Sequence, residues 1–199
     1  NLTSQLDFEF HPHGISIYEL NNKVYLNAVN HTSKGNSVIS FILIDNQLVF
    51  IKEIISPLLV SPNDLVMINK NQFYITNDHG SNNVVSKLLE DYLQLSKSNI
   101  LFYDGNQFII SANKLKYANG INISNDFKKI YVAETIGKRI RIYERDELNN
   151  NLNLLDIIDV NSGVDNIELD QQGNLWIGSH PKLFDFLRHA KDKKNLSPS

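Results

Sequence analysis

Four positions carry side-chain oxygen or nitrogen at nearly even spacing, and each precedes an alternating apolar run. With the residue that follows each, they are His13-Gly14, Asn63-Asp64, Asn119-Gly120 and Asp165-Asn166. Amide and carboxylate oxygens are hard donors. Several of them at one point would suit calcium, which takes about six to eight oxygens at about 2.3–2.6 Å. Zinc or copper would require more imidazole or thiolate.

Two histidines are candidates for proton transfer. His13 begins one predicted strand and His31 ends the next, so antiparallel pairing would bring the two rings together. Imidazole has a reference pKa of about 6.5 and can take a proton from water at neutral pH. A single histidine is more often structural, and the shared strand end is what favours a catalytic interpretation here.

Three further residues are predicted to form the wall of the same pocket. His79 and His180 end the corresponding strands of the second and fourth repeats, and Asp78 precedes His79. They would therefore lie at the mouth of the channel.

The elements that must position these residues are short strands. β-branched runs separated by turn residues predict a four-stranded antiparallel meander over residues 14–54, with no helical periodicity. Repeats begin near residues 12, 62, 118 and 164, and their intervals are 50, 56 and 46 residues, which is propeller-blade spacing. The prediction is an all-β chain, a β-propeller with about four blades present in residues 1–199 and its ring not closed.

Two segments fit the blade pattern poorly. Residues 80–97 are predicted to be a short helix or an irregular loop inserted in the second blade. Leu183, Phe184, Leu187 and Ala190 recur at helical spacing after Pro181, which predicts a short helix over residues 181–191.

A propeller geometry would bring the four repeated positions to one axis, because the first strand of each blade lines the central channel. The alternative is that Asn, Asp and Gly simply make turns before strands. That alternative stays open at any one position; four positions in phase with the repeat favour a site. Because open sheet edges are costly, we also interpret the chain as an internal piece of a longer protein.

Composition excludes several functional classes. The 199 residues carry a net charge of -3 with both signs scattered, so nucleic acid is not an expected partner. No apolar run approaches the roughly 20 residues of a membrane span. The chain has no cysteine, which excludes disulfides and thiolate metal sites.

Seven segments together resemble the paraoxonase/arylesterase family, with order and spacing that agree over nearly the whole chain. They are residues 12–16, 29–31, 63–64, 76–79, 118–124, 164–167 and 175–181. The resemblance implies a six-bladed β-propeller with two calcium ions in its channel. It also implies hydrolysis of lactones, aryl esters and, in some members, organophosphates, so a small-molecule ester or lactone is the expected substrate.

The same resemblance assigns roles to individual residues. Ligands of a catalytic calcium would be Asn63, Asn119, Asp165 and Asn166. A structural calcium would be held by Asp64 and the backbone carbonyl of Ile15. His13 and His31 would be the histidine dyad, and His180 would lie in the active-site wall.

The chain also departs from the family pattern. The family's further acidic ligand for each calcium lies on a segment before Asn1, and the closing strands lie after Ser199. The cysteine pair of the animal enzymes is absent, and the tail from Pro181 looks more like bacterial members. A secreted, periplasmic or membrane-anchored location is suggested by the resemblance alone.

Two alternatives belong to other functional classes. A sugar-lactone hydrolase of the gluconolactonase type would share the propeller and the metal, without an expected need for the histidine pair. A non-catalytic propeller would serve as a binding scaffold, because a fold does not fix a function.

Overall fold

A computed structural model of the 199-residue chain describes residue 3 and residues 6–181. In that part of the chain, three four-stranded antiparallel sheets are followed by a two-stranded sheet, and strand order within each sheet is sequential. The first sheet contains β1 (Pro12–Leu20), β2 (Lys23–Thr32), β3 (Gly35–Ile44) and β4 (Gln47–Ile55). The second contains β5 (Pro62–Asn69), β6 (Gln72–Asn77), β7 (Ser98–Tyr103) and β8 (Phe108–Leu115). The third contains β9 (Ala118–Ile123), β10 (Lys129–Glu134), β11 (Arg139–Arg145) and β12 (Leu152–Asp159), and the last contains β13 (Gly163–Leu169) and β14 (Leu175–His180).

The all-β prediction is confirmed, and the order of the sheets is that of successive propeller blades. The first strands β1, β5, β9 and β13 lie next to one another in that order. They are called the inner strands below. The positive-φ turns that connect the strands are occupied mainly by Asn, Asp and Gly, such as Asn21-Asn22 and Asp45-Asn46, because these residues tolerate the left-handed conformation best.

The poorly fitting segment 80–97 contains a helix, α1 (Val84–Tyr92), between β6 and β7. Asn83 caps it by accepting hydrogen bonds from the backbone N–H groups of Val85 and Ser86. No helix in the described ranges has the length and apolar character of a membrane span. The helix predicted over 181–191 falls, from residue 182 onward, outside the described residues.

The apolar core lies between successive blades. Val29, Val38 and Leu65 pack with Phe73 and Leu101 between the first and second sheets. A second cluster joins the second and third sheets, and a smaller one joins the third to the fourth. Each blade is therefore held by the apolar faces of its neighbours, and this fixes the inner strands relative to one another.

The inner strand of every blade carries one extra residue at the same place. In the first blade, the two residues between Pro12 and Ile15 face the one residue between Asn30 and Ala28 on the partner strand. The other blades repeat the mismatch between residues 62 and 65, 118 and 121, and 164 and 167. Such β-bulges change the direction of side chains and are frequent next to active sites. The bulged residues are the four pairs of the sequence repeat.

Two of those pairs contain a glycine because the next blade approaches its Cα closely. A Cβ on Gly120 would lie 2.5 Å from the carbonyl oxygen of Asp165 and 2.7 Å from the Cα of Asn166. A Cβ on Gly14 would lie 2.5 Å from the Asn63 carbonyl oxygen and from the Cα of Asp64. These contacts are with backbone atoms, so a change of rotamer in a neighbouring side chain cannot relieve the clash.

Gly120→Ala is expected to lower the free energy of unfolding by about 1–3 kcal/mol, because the extra methyl overpacks the boundary between two blades. Urea denaturation measures the change. Gly178→Ala is the matched control, since its Cβ would meet nothing nearer than 4.0 Å. Equal stability of the two variants would contradict the close packing of β9 on β13.

Candidate functional site

The predicted site residues all lie at one end of the blades. His13, Ile15, Asn63, Asp64, Asn119, Asp165 and Asn166 are in the first part of the inner strands; His31, Asp78, His79 and His180 are at or just after the end of the antiparallel second strands. Register places Pro12 opposite Asn30 and Gly163 opposite His180. The antiparallel pairing therefore brings the two sets to the same edge.

The inner strands enclose an open cavity of about 730 Å³. Of the predicted site residues, His13, Ile15, Asn63, Asp64 and Asn166 line it. Asn119, Asp165, His31, Asp78, His79 and His180 do not line it. Five of the eleven predicted site residues therefore lie on the surface of the channel.

His13 and His31 lie in contact, with ring centroids 5.4 Å apart and an interplanar angle of 74°. The surrounding protein displaces part of the solvent around His13, and this is the main reason why its pKa is lowered. The nearby His31 lowers that pKa further, whereas the Asp78 and Asp165 carboxylates partly offset the effect. A lowered pKa favours the neutral ring, which is the form that accepts a proton.

The tautomer of His31 follows from its partner. Its Nδ1 lies 2.8 Å from Oδ1 of Asn36, whose amide NH₂ donates to the carbonyl oxygens of Leu59 and Val60. Because the Asn36 oxygen is an acceptor, Nδ1 of His31 carries the proton. In the neutral ring, Nε2 is then the basic nitrogen.

Asn63 and Asn119 are buried and are held in the same way. The Asn63 Nδ2 donates to Oδ2 of Asp78 at 3.2 Å, and the Asn119 Nδ2 donates to Oγ1 of Thr135 at 3.1 Å. Within the described residues, no hydrogen bond reaches Oδ1 of either amide. Both side chains therefore keep their carbonyl oxygen available to a cation, while the NH₂ group is used within the protein.

Asp64 is a carboxylate whose charge is poorly compensated. Burial raises its pKa to about 7, against the opposing effect of hydrogen bonds from the backbone N–H groups of Ile121 and Leu65. Glu168 and Asp165 raise the pKa further. A nearby cation would favour the ionised form of Asp64, so this residue fits a metal site.

Asp165 and His180 form a pair, with Oδ2 and Nε2 2.9 Å apart. The charge of the Asp165 carboxylate also raises the pKa of both His13 and Asp64. Asn166, the next residue, is exposed on the cavity surface. The bulge between Val164 and Ile167 is what lets two consecutive residues serve the same end of the strand.

Asp78 and His79 belong to a buried polar network. His79 contacts Asp78 through Nδ1 at 2.6 Å and Asp91 through Nε2 at 2.9 Å. Although burial alone would lower the pKa of His79, the two carboxylates outweigh it and raise the pKa to about 9. Burial would raise the pKa of Asp78, but its hydrogen bonds with His79, Ser61 and Asn63 leave it lowered.

The donor set is one of amide and carboxylate oxygens. The described residues contain no group of three or more histidine, cysteine, aspartate or glutamate side chains suited to a metal. Two amide oxygens without a donor, the Asp165 carboxylate and the uncompensated Asp64 are instead ligands that a hard cation such as Ca²⁺ prefers. These residues therefore fit calcium better than a transition metal.

Sequence reasoning missed several residues that orient this site. Thr135 and Asn36 bind the side chains of Asn119 and His31, and Asp91 comes from α1. Thr135 follows the partner of Ala118, just as His31, Asp78 and His180 follow the partners of the equivalent residues in their blades, so the repeat held a signal for Thr135. Asn36 and Asp91 lie outside that pattern, and periodicity gave no signal for them. They are found only through the contacts that they make.

Comparison with known proteins identifies relatives over nearly the whole chain. A family model described as Arylesterase matches residues 3–199. Serum paraoxonase/arylesterase 2 of Homo sapiens is 38% identical over 182 residues, which cover 88% of this chain and 51% of the human protein. Serum paraoxonase/arylesterase 1 of Mus musculus is 38% identical over 176 residues, or 86% of this chain and 49% of the mouse protein. The chain thus spans about half the length of the curated relatives it matches.

The fold is also found in solved structures. The periplasmic gluconolactonase PpgL of Pseudomonas aeruginosa aligns with a TM-score of 0.55 and 14% identity, over 85% of this chain and 50% of that one. At this identity the likeness concerns the fold alone.

Proposed function

The chain belongs to the arylesterase family, and from that premise we propose that the protein is a calcium-dependent hydrolase of lactones and aryl esters. Calcium would be held by Asn63, Asn119, Asp165 and Asn166 at a catalytic position. Asp64 and the carbonyl oxygen of Ile15 would hold a second ion. His13 and His31 would form the acid–base pair.

One observation carries this proposal. The NH₂ groups of Asn63 and Asn119 are both engaged by the protein, and among the described residues no donor reaches either carbonyl oxygen, which supports a role of these oxygens as ligands. A residue that served only as a turn former before a strand would not require this orientation in two blades. The contact between the His13 and His31 rings adds a proton acceptor at the same end of the blades.

When bound, calcium would polarise the substrate carbonyl and stabilise the negative charge that develops on its oxygen. His13 accepts a proton from a water molecule, and the water oxygen attacks the carbonyl carbon. The bond between that carbon and the ester oxygen then breaks, and the protonated His13 gives its proton to the leaving oxygen. His31, held through its Nδ1 by Asn36, orients the His13 ring or relays the proton. General-base assistance of this kind is worth about 10²–10⁴-fold in rate.

Removal of calcium is expected to abolish hydrolysis, because the charge on the carbonyl oxygen would lose its stabilisation. The measurement is the rate of hydrolysis of a simple δ-lactone and of phenyl acetate before and after chelation, followed by return of Ca²⁺. Recovery on return of the ion is the control for irreversible unfolding. Full activity after complete chelation would reject the proposal.

A substrate panel separates the proposed activity from its two rivals. A gluconolactonase-type enzyme would prefer sugar lactones and would not respond to loss of the histidine pair. A binding scaffold would hydrolyse neither class of substrate.

A further inference from the structure

Helix α1 faces the protein with its polar side. Lys87 and Asp91 are one helical turn apart, so both lie on one face, and both contact groups at the end of the second blade. The opposite face carries exposed apolar side chains, among them Val85 and Leu89, and the helix has no buried residue. Polar contacts, and not apolar burial, therefore attach this helix to the blade.

Two chains of hydrogen bonds run from α1 to the same oxygen atom. Lys87 donates its Nζ to Oγ of Ser61 at 2.6 Å, and Ser61 donates to Oδ1 of Asp78 at 2.5 Å. Asp91 accepts from Nε2 of His79, whose Nδ1 donates to the same Oδ1 of Asp78. Oδ1 is thus fixed from two directions.

The other oxygen of Asp78 is used differently. Oδ2 accepts from Nδ2 of Asn63, which sets the direction of the Asn63 amide and hence of its Oδ1. A carboxylate that rotated would release or reverse this amide, and an NH₂ group cannot bind a cation. The orientation of Asn63 therefore depends on how firmly Asp78 is held.

We propose that Lys87 and Asp91 are positioning residues that orient the Asn63 carbonyl oxygen toward the metal through Ser61, His79 and Asp78. The inference rests on the proposed function, since it assigns to α1 a role in the affinity of the calcium site. Outer partners of this kind are worth about 10–100-fold in metal affinity or activity.

The charges of the network allow a decisive comparison. Lys87 and the doubly donating His79 are cations, and Asp78 and Asp91 are anions, so the network is balanced. If these residues acted only through their charge, loss of the Asp91 carboxylate would weaken calcium binding and loss of the Lys87 ammonium would strengthen it. If they position Asn63, both losses weaken calcium binding.

The experiment measures Ca²⁺ affinity by isothermal titration calorimetry and by the calcium dependence of lactone hydrolysis. Asp91→Ala is expected to raise the calcium Kd about 10–100-fold, and Lys87→Met is expected to raise it by a smaller factor. At saturating Ca²⁺, kcat should stay close to the original value, because the direct ligands are unchanged. Asp91→Glu should restore most of the affinity by keeping an acceptor for His79.

Glu90→Gln is the matched control. Its carboxylate is on the same helix and accepts from the backbone N–H of Gly80, outside the network, so its calcium Kd should not change. Opposite shifts for Asp91→Ala and Lys87→Met would overturn the positioning role, as would a lowered Tm with an unchanged Kd. An unaltered protein that neither binds calcium nor needs it would instead overturn the proposed function, and this inference with it.

Discussion

Asp165→Asn is expected to raise the calcium Kd more than about 100-fold, because outer partners alone are worth about 10–100-fold. Asp165 is the one formally charged side chain among the four proposed ligands of the catalytic ion; Asn63, Asn119 and Asn166 are neutral amides. The substitution preserves shape and leaves a group that can still bond with His180. It therefore removes charge with little change in packing.

The same variant should lose about 10³-fold in kcat/KM at a fixed low calcium concentration, since removal of one group that stabilises the developing oxyanion costs about 10²–10³-fold. Calorimetry and lactone kinetics measure the two effects. Asp156→Asn removes one negative charge from the exposed outer strand β12 and serves as the control. Comparable calcium affinity in both variants would exclude Asp165 from the ligand set.

His13→Gln is expected to lower kcat by about 10²–10⁴-fold while the calcium Kd stays unchanged, because the residue supplies a base and not a ligand. The separation of the two readouts is the purpose of the measurement. His31→Gln should show a smaller loss, since His31 contacts His13 and is not itself the proposed proton acceptor.

His11→Gln provides the comparison for this pair. His11 is exposed, and its Nδ1 lies 3.1 Å from the carbonyl oxygen of His31, so it shares the neighbourhood without a proposed role in catalysis. Its activity should equal that of the original protein. If His13→Gln retained full kcat, another group would have to be the base. The proposed assignment of the calcium ligands would not be affected.

Much of the fold is encoded locally and could be predicted. β-branched runs and Asn or Asp turns give the strands, and the spacing of His13, Asn63, Asn119 and Asp165 gives the period of the blades. The period of the repeat shows which residues of the blades are equivalent. Antiparallel pairing then places the start of one strand beside the end of the next. That was sufficient to predict that His13 and His31 share one end of a blade.

Other features depended on partners far away in the chain. The bulge at each inner strand is a mismatch of one residue against a second strand, so it cannot be recognised in either strand alone. Asp64 accepts from Ile121, which is 57 residues later. Segment 80–97 had no blade periodicity, and its helix is held by hydrogen bonds of Lys87 with Ser61 and of Asp91 with His79.

The sequence by itself determined the repeat, the strand class and the residue types that arrive at one end of the blades, because these follow from composition and spacing along the chain. Only the tertiary structure decided which atom of each side chain is available. Asn63 and Asn119 present oxygen because Asp78 and Thr135 take their NH₂ groups. An amide has two chemically different ends of nearly equal shape, and only its neighbours in space select between them.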